Sequence, residues 1–226
     1  MAVRTRTRPR GKQPLPPPLP HDRRTVGQLV AETLRFYGSH FWPSILLGLA
    51  PAAITVAAAE LSRNGRFLFV LTAGAAILTA SYVAAAVLVS ERPLERRAVL
   101  AAFGAGLVAY LPAPFLAIGF ILPALAWLAL VGLSVPAAVL ERLSFRRALT
   151  RGVALARADY VHALGSLAAL AIVAFLSQWV LFFLLRGAGE STVRIAAFLA
   201  SLAISPILFL GAALLYFDQA ARVSAK

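Results

Sequence analysis

Four arginines share one segment of the chain, and their positions suit the binding of phosphate. The group comprises Arg146, Arg147, Arg151 and Arg157. It follows Ser144, whose hydroxyl can cap the start of a helix. In that helix the arginines form a basic side, and the apolar side comprises Phe145, Leu149, Val153 and Leu155. Basic amphipathic helices lie along membrane surfaces and contact anionic headgroups. Residues 141–160 are therefore predicted to bind lipid phosphate or, alternatively, to dock a cytoplasmic protein partner.

A second candidate lies within an apolar stretch, where the amide side chain of Gln178 precedes Trp179. A polar side chain inside a membrane either hydrogen-bonds to a neighbouring helix or lines a path for a polar substrate. The sequence leaves both roles open for this pair of residues.

Residues suited to catalysis or metal binding are not grouped in the sequence. The chain has no cysteine, which excludes disulfides, cysteine metal sites and thiol nucleophiles. His21, His40 and His162 are far apart, and none belongs to a metal-binding or nucleophile motif. We therefore predict no catalytic residue, no metal site and no cofactor.

The composition indicates a membrane protein. Of 226 residues, 60% are hydrophobic and 14% charged, the mean hydropathy is +0.80, and the formal net charge is +13. A strongly basic chain is typical of nucleic-acid binding. This chain, however, has too few polar residues to cover a water-facing surface. We predict contact with anionic lipid and none with nucleic acid.

Six uncharged stretches are long enough to cross a bilayer, which takes about 20 helical residues. The predicted spans are residues 41–59, 67–89, 99–118, 123–140, 161–185 and 195–217. The third and fourth belong to a run of 42 uncharged residues, 99–140. As one helix this run would measure ~63 Å, about twice the hydrocarbon thickness. It must therefore fold back, and Gly119 and Pro123 predict the turn.

The distribution of basic residues supports six spans. Six spans place 18 of the 22 Lys and Arg residues on one side of the membrane, whereas five spans divide them 13 to 9. Basic loops of membrane proteins face the cytoplasm. Both chain termini and residues 141–160 are therefore predicted to be cytoplasmic.

The chain before the first span divides into two parts. Residues 1–24 combine basic residues with a proline run, which predicts a disordered cytoplasmic tail. Thr25 and Gln28 match a capping box, so a second amphipathic helix is predicted to begin here. The membrane domain is predicted to cover residues 25–222.

Three sets of short motifs bracket this predicted domain. They are Leu34–Tyr37 with His40–Pro43, Val135–Glu141 with Ala148–Arg151, and Leu215–Asp218. Together they resemble the membrane domain fused to bacterial glycerophosphoryl diester phosphodiesterases, and its stand-alone six-helix relatives. That family usually has serine where this chain has Gly152. The resemblance implies a membrane module without the hydrolase domain, and it implies no catalytic residue.

The sequence thus predicts an all-α, polytopic membrane helix bundle with six transmembrane helices and two amphipathic helices at the cytoplasmic interface. A ratio of 20 arginines to 2 lysines is typical of G+C-rich bacterial genes, so the bacterial inner membrane is the predicted location. The predicted function is a non-catalytic structural or interaction module linked to lipid or envelope processes. The alternative is a transporter or permease component that uses residues 141–160 as a coupling helix.

Overall fold

All regular secondary structure in the described part of the chain is helical. The computed structural model describes residues 20–90, 95–185, 187 and 189–225, apart from the side chain of residue 190. After one 3₁₀ turn at His21–Arg23, the helices are α1 (Val26–Ser39), α2 (Phe41–Leu46), α3 (Leu49–Ala59), α4 (Arg63–Phe69), α5 (Ala75–Ser90), α6 (Arg96–Tyr110), α7 (Ala113–Leu116), α8 (Ile121–Val131), α9 (Ser134–Leu140), α10 (Phe145–Ala158), α11 (Tyr160–Leu185) and α12 (Glu190–Ser224). A π-helical segment, Val70–Gly74, joins α4 to α5.

Six helical stretches are long and apolar enough to cross a membrane. They are Phe41–Ala59, Arg63–Ser90, Arg96–Leu116, Ile121–Leu140, Tyr160–Leu185 and Ser191–Ser224. Each overlaps one predicted span, so the prediction of an all-α fold with six such helices is confirmed. Helices α1 and α10 lie where the two amphipathic helices were predicted. Their amphipathic character and their position at a membrane interface stay predictions.

Helices extend past several predicted span boundaries, and furthest past the last one. α12 is one helix of 35 residues that continues seven residues past Phe217, through Asp218 and Arg222. The hydropathy of the sequence marks where apolar residues end, whereas a helix continues as long as its backbone bonds and its packing are satisfied. Similarly, Arg63 and Arg66 precede the predicted second span, yet they belong to α4.

Most prolines within the spans lie in the first turn of a short helix. Pro43, Pro51, Pro114, Pro123 and Pro136 occupy such positions in α2, α3, α7, α8 and α9. The first-turn N–H groups of a helix have no intrahelical partner, so a proline loses no hydrogen bond there. The first, third and fourth spans are accordingly each divided into two helices. Pro206 is the exception, because it lies inside α12.

The predicted reversal within residues 99–140 is confirmed. α7 ends at Leu116, α8 begins at Ile121, and α6 contacts both α8 and α9. Gly119 lies in the turn, whereas Pro123 lies in the first turn of α8. The turn therefore ends before Pro123, which was predicted to be its last residue.

α12 is the central helix of the bundle, and it contacts α1, α2, α3, α5, α9, α10 and α11. Close approach depends on small residues, and Gly48 shows this most directly. A Cβ atom at Gly48 would overlap the backbone carbonyl of Leu202 on α12. Backbone atoms cannot move aside as a flexible side chain can, so the start of α3 requires glycine.

We expect Gly48→Ala to destabilise the protein by about 1–3 kcal/mol, because its methyl group forces the backbones of α3 and α12 apart. The measurement is thermal unfolding in mild detergent. Gly38→Ala is the matched control, since no atom lies within 4 Å of its Cβ position. Equal melting temperatures for the two variants would contradict the close approach.

Candidate functional site

α10 packs one side against the bundle and presents its other side to the surroundings. Ala148, Gly152, Leu155 and Ala156 are buried, and the helix contacts α6, α8, α9, α11 and α12. A Cβ atom at Gly152 would overlap the Ser134 side chain and backbone nitrogen. The residue type at position 152 therefore sets how closely α10 lies against the start of α9.

The outward side of α10 carries three arginines, Arg146, Arg147 and Arg157, which we call the arginine face. All three are exposed, and none forms an ion pair within the described part of the chain. Because α10 is held by its buried side, these guanidinium groups project from a fixed helix.

Arg151 differs from the three arginines with which the sequence grouped it. Its Nε donates to Glu141 Oε1 at 2.8 Å, and its side chain is 34% exposed. The Tyr216 hydroxyl donates to the same oxygen at 2.6 Å. The hydrogen bond to Glu141 raises the pKa of Arg151. This Glu141 cluster joins the end of α9, α10 and α12, so Arg151 has a partner inside the protein.

The turn before α10 holds a residue in the left-handed backbone region. Arg142 has φ = 53°, a conformation that side chains other than glycine rarely adopt. Its guanidinium pairs with Glu95 at 3.4 Å, beside a cleft of about 530 Å³ that also contacts Arg97 and Phe145. Ser144 occupies the predicted N-cap position, but its hydroxyl makes no capping bond. In contrast, the predicted capping box of Thr25 and Gln28 is present.

A second ionic group at the same end surrounds Asp218, which is fully buried on α12. His21 Nδ1 lies 3.1 Å from Asp218 Oδ1, and the Arg24 guanidinium donates to the same oxygen at 3.4 Å. His162 Nε2 lies 3.9 Å from Asp218 Oδ2. We call these four residues the Asp218 cluster.

The next polar residues along α12 connect this cluster to the junction of α10 and α11. Gln219 Nε2 donates to the Asp159 carbonyl at 3.0 Å, and Arg222 donates to the Asp159 carboxylate at 2.6 Å. Arg222 also donates to the carbonyl oxygen of Arg24 at 2.8 Å. The Asp159 carboxylate accepts the His162 backbone N–H at 3.0 Å, which caps the start of α11.

Two of the three histidines, which are far apart in the sequence, belong to the Asp218 cluster. His21 and His162 are 141 positions apart in the sequence, yet both lie beside one carboxylate. His40 stacks on Phe36 with ring centroids 4.4 Å apart and has no place in this cluster. No residue spacing could have signalled the pairing, because it depends on how α11 and α12 pack.

The tail predicted for residues 1–24 ends earlier than residue 24. His21–Arg23 forms a 3₁₀ turn in contact with α12, and Arg24 is buried. Residues 1–19 lie outside the described residues, so the disorder predicted for them stays a prediction.

Gln178 and Trp179 lie toward the other end of the bundle. They line a groove of about 360 Å³ between α3, α11 and α12, together with Thr55 and Ser201. The hydroxyls of Thr55 and Ser201 lie 3.1 Å apart. The Gln178 side chain is exposed and makes no hydrogen bond within the described residues. Of the two roles that the sequence leaves open, the hydrogen bond to a neighbouring helix is not formed within the described part of the chain.

The chain matches no family model, no curated protein and no solved structure. Within the described residues, no three His, Asp, Glu or Cys side chains are arranged to hold a metal ion. The ionic geometry of the α10 end is therefore the main guide to function.

Replacing Asp218 by Ala should release residues 20–24 from the bundle, because it leaves Arg24 and two histidines beside an uncharged site. Breaking a buried ion pair costs about 3–5 kcal/mol. We expect a lower melting temperature and faster trypsin cleavage after Arg24, which is buried in the intact protein.

Asp22→Ala is the control, since Asp22 contacts only the exposed Arg23, at 3.9 Å, among the described ion pairs. Arg24→Gln provides a second disruption of the cluster that leaves α12 unchanged, with faster cleavage after Arg23 as its readout. Unchanged cleavage in both cluster variants would contradict the docking of this segment.

Proposed function

We propose that this chain is a non-catalytic interaction module of the bacterial inner membrane, whose cytoplasmic face binds anionic lipid headgroups through the arginine face. The proposal rests on the exposure of Arg146, Arg147 and Arg157 and on their lack of an ion-pair partner in the described part of the chain. They are exposed on a packed helix and have no acidic partner within the described residues. Exposed guanidinium groups held at a membrane surface attract anionic lipid by about 1 kcal/mol per residue.

The proposed orientation places α10 and both termini in the cytoplasm. The 18 to 4 division of basic residues supports this orientation. The structure of α10 also suits an interfacial position, because one side is buried against the bundle and the opposite side is basic. α10 would then lie along the membrane surface, with its arginines at headgroup level.

Kinship with the membrane domains of glycerophosphoryl diester phosphodiesterases is also part of the proposal. The motif residues Glu141, Arg151 and Tyr216 contact one another, and Asp218 forms the neighbouring cluster. Motifs that are distant in sequence but adjacent in space are what a shared structural unit requires. This adjacency supports a common architecture at the α10 end and adds no hydrolase chemistry.

A permease component is the second candidate, and one observation favours it. α10 contacts α6, α8, α9, α11 and α12, which belong to four spans, so a protein that pulled on this helix would act on four spans at once. In that case the arginine face would bind a cytoplasmic ATPase, and its loss would abolish co-purification of that ATPase without changing lipid binding.

Single cysteines test the orientation, because the natural chain contains none. We expect cysteines at Asn64 and Ser191 to react with a membrane-impermeant maleimide in intact cells, and one at Ser144 to react only after permeabilisation. All three positions are exposed, so labelling reports the side of the membrane and not burial. Labelling of Ser144→Cys in intact cells would exclude a cytoplasmic α10.

Replacing Arg146, Arg147 and Arg157 together by Gln should weaken binding of phosphatidylglycerol about fivefold per residue replaced. The measurement is native mass spectrometry of the delipidated protein titrated with phosphatidylglycerol, with phosphatidylethanolamine as the reference lipid. Arg63→Gln removes an exposed arginine at the other end of the bundle and should change neither titration. Equal phosphatidylglycerol binding by the triple variant and the intact chain would refute lipid recognition by this face.

A further inference from the structure

The interior of the bundle contains an apolar slot of about 310 Å³ that lies apart from the arginine face. Five helices line it: α5, α6, α8, α11 and α12. Their contributions include Leu78, Leu128, Leu167 and Phe209. Its volume is within the range of small-molecule sites, which are mostly apolar cavities with a few polar groups that orient the ligand.

Two tyrosines supply the polar groups of this slot. Tyr82 and Tyr110 both line it, and their rings meet edge to face with centroids 6.2 Å apart. Tyr82 is 2% exposed. Neither hydroxyl makes a hydrogen bond within the described residues. By contrast, the hydroxyl of Tyr160 donates to Ala126 and that of Tyr216 donates to Glu141.

These hydroxyls belong to two apolar membrane-spanning stretches. Tyr110 is six residues from the end of its span at Leu116, on the side of Ile121. Tyr82 belongs to the neighbouring span, and its ring contacts that of Tyr110. A hydroxyl without an acceptor is costly in such an apolar environment, which favours an occupant that offers an acceptor.

The two ends of the slot differ in exposure. Ile121, the first residue of α8, is 60% exposed, whereas Leu215 on α12 is fully buried. Ile121 lies at the end of the bundle opposite α10, next to the end of the span that contains Tyr110. A flexible chain from the leaflet on that side can therefore enter beside Ile121 and extend toward Leu215.

The chemistry of the lining narrows the class of occupant. No Lys, Arg, His, Asp or Glu lines the slot, so nothing in it neutralises a charged ligand. A phenol hydroxyl can donate to a carbonyl oxygen. The leaflet beside Ile121 contains acyl chains with ester carbonyls at their polar end, and Tyr110 lies within one to two helical turns of that end.

We infer that this slot binds one acyl chain of an ester-linked glycerolipid, with Tyr82 and Tyr110 donating hydrogen bonds to the ester carbonyl. Site occupancy by this lipid is independent of headgroup charge. The inference thus goes beyond the proposed binding of anionic headgroups by the arginine face, at another place in the fold.

The test compares two lipids that differ only in the ester carbonyls: dipalmitoyl phosphatidylethanolamine and its diether analogue. Native mass spectrometry of the delipidated full chain measures the affinity of each. We expect the ester lipid to bind about three- to tenfold more tightly, as the loss of one or two hydrogen bonds predicts. Equal affinities would overturn recognition of the carbonyl.

Substitutions of the two tyrosines test whether the preference for the ester lipid arises in the slot. Tyr82→Phe with Tyr110→Phe should lower the affinity for the ester lipid to that of the ether lipid and leave the ether lipid unchanged. Tyr37→Phe, a hydroxyl deletion on α1 outside the slot, should retain the preference. A double Phe variant that still prefers the ester lipid would overturn the role of the two hydroxyls.

Ala171→Leu tests occupancy of the slot without removing a hydroxyl, because it fills space on α11. We expect this variant to lose binding of both lipids and to keep a melting temperature close to that of the intact chain. Unchanged binding of both lipids by Ala171→Leu would overturn the inference. A variant that fails to fold is replaced by Ala212→Leu, which fills the same slot from α12.

Discussion

The buried carboxylate of Asp218 is the constraint on which the α10 end of the bundle depends. A carboxylate with no exposure to water is stable only if cations and hydrogen-bond donors surround it. Here His21 and the Arg24 guanidinium contact Oδ1, and His162 at the start of α11 lies 3.9 Å from Oδ2, which accepts no hydrogen bond within the described residues. This one group therefore brings three distant segments together. Gln219 and Arg222 extend the arrangement to Asp159, so the junction between α10 and α11 is held by the same helix.

The basic residues at this end consequently fall into two classes. Arg24, Arg151 and Arg222 compensate carboxylates of the fold and are removed from competition for external anions. The three arginines of the arginine face pair with no carboxylate within the described residues. The paired arginines hold α10 in position, and α10 in turn holds the arginine face at the surface. Anion binding at the surface therefore depends on ion pairs beneath it.

The sequence predicted those features that depend on local pattern. Apolar runs predicted the six spans, the length of residues 99–140 predicted their reversal, and Thr25 with Gln28 predicted the capping box. Contacts between distant residues were not predictable in this way. His21 and Asp218 are 197 positions apart, and no periodicity links them. Likewise, the pattern grouped Arg151 with its neighbours on α10, because its partner Glu141 becomes adjacent only after α9 and α10 pack together. The slot beside Tyr82 and Tyr110 was not visible for the same reason, since five helices must assemble to enclose it.

The distance along the chain between His21 and Asp218 also dictates an order of assembly. The segment that contains His21 and Arg24 is synthesised before α12, the helix that carries the carboxylate receiving it. Contacts this far apart in sequence form only after the intervening chain has been placed. Docking of residues 20–24 is thus a late event that requires all six spans to have entered the bundle. A chain halted before α12 keeps residues 20–24 undocked, so the position of these residues reports whether α12 has joined the bundle.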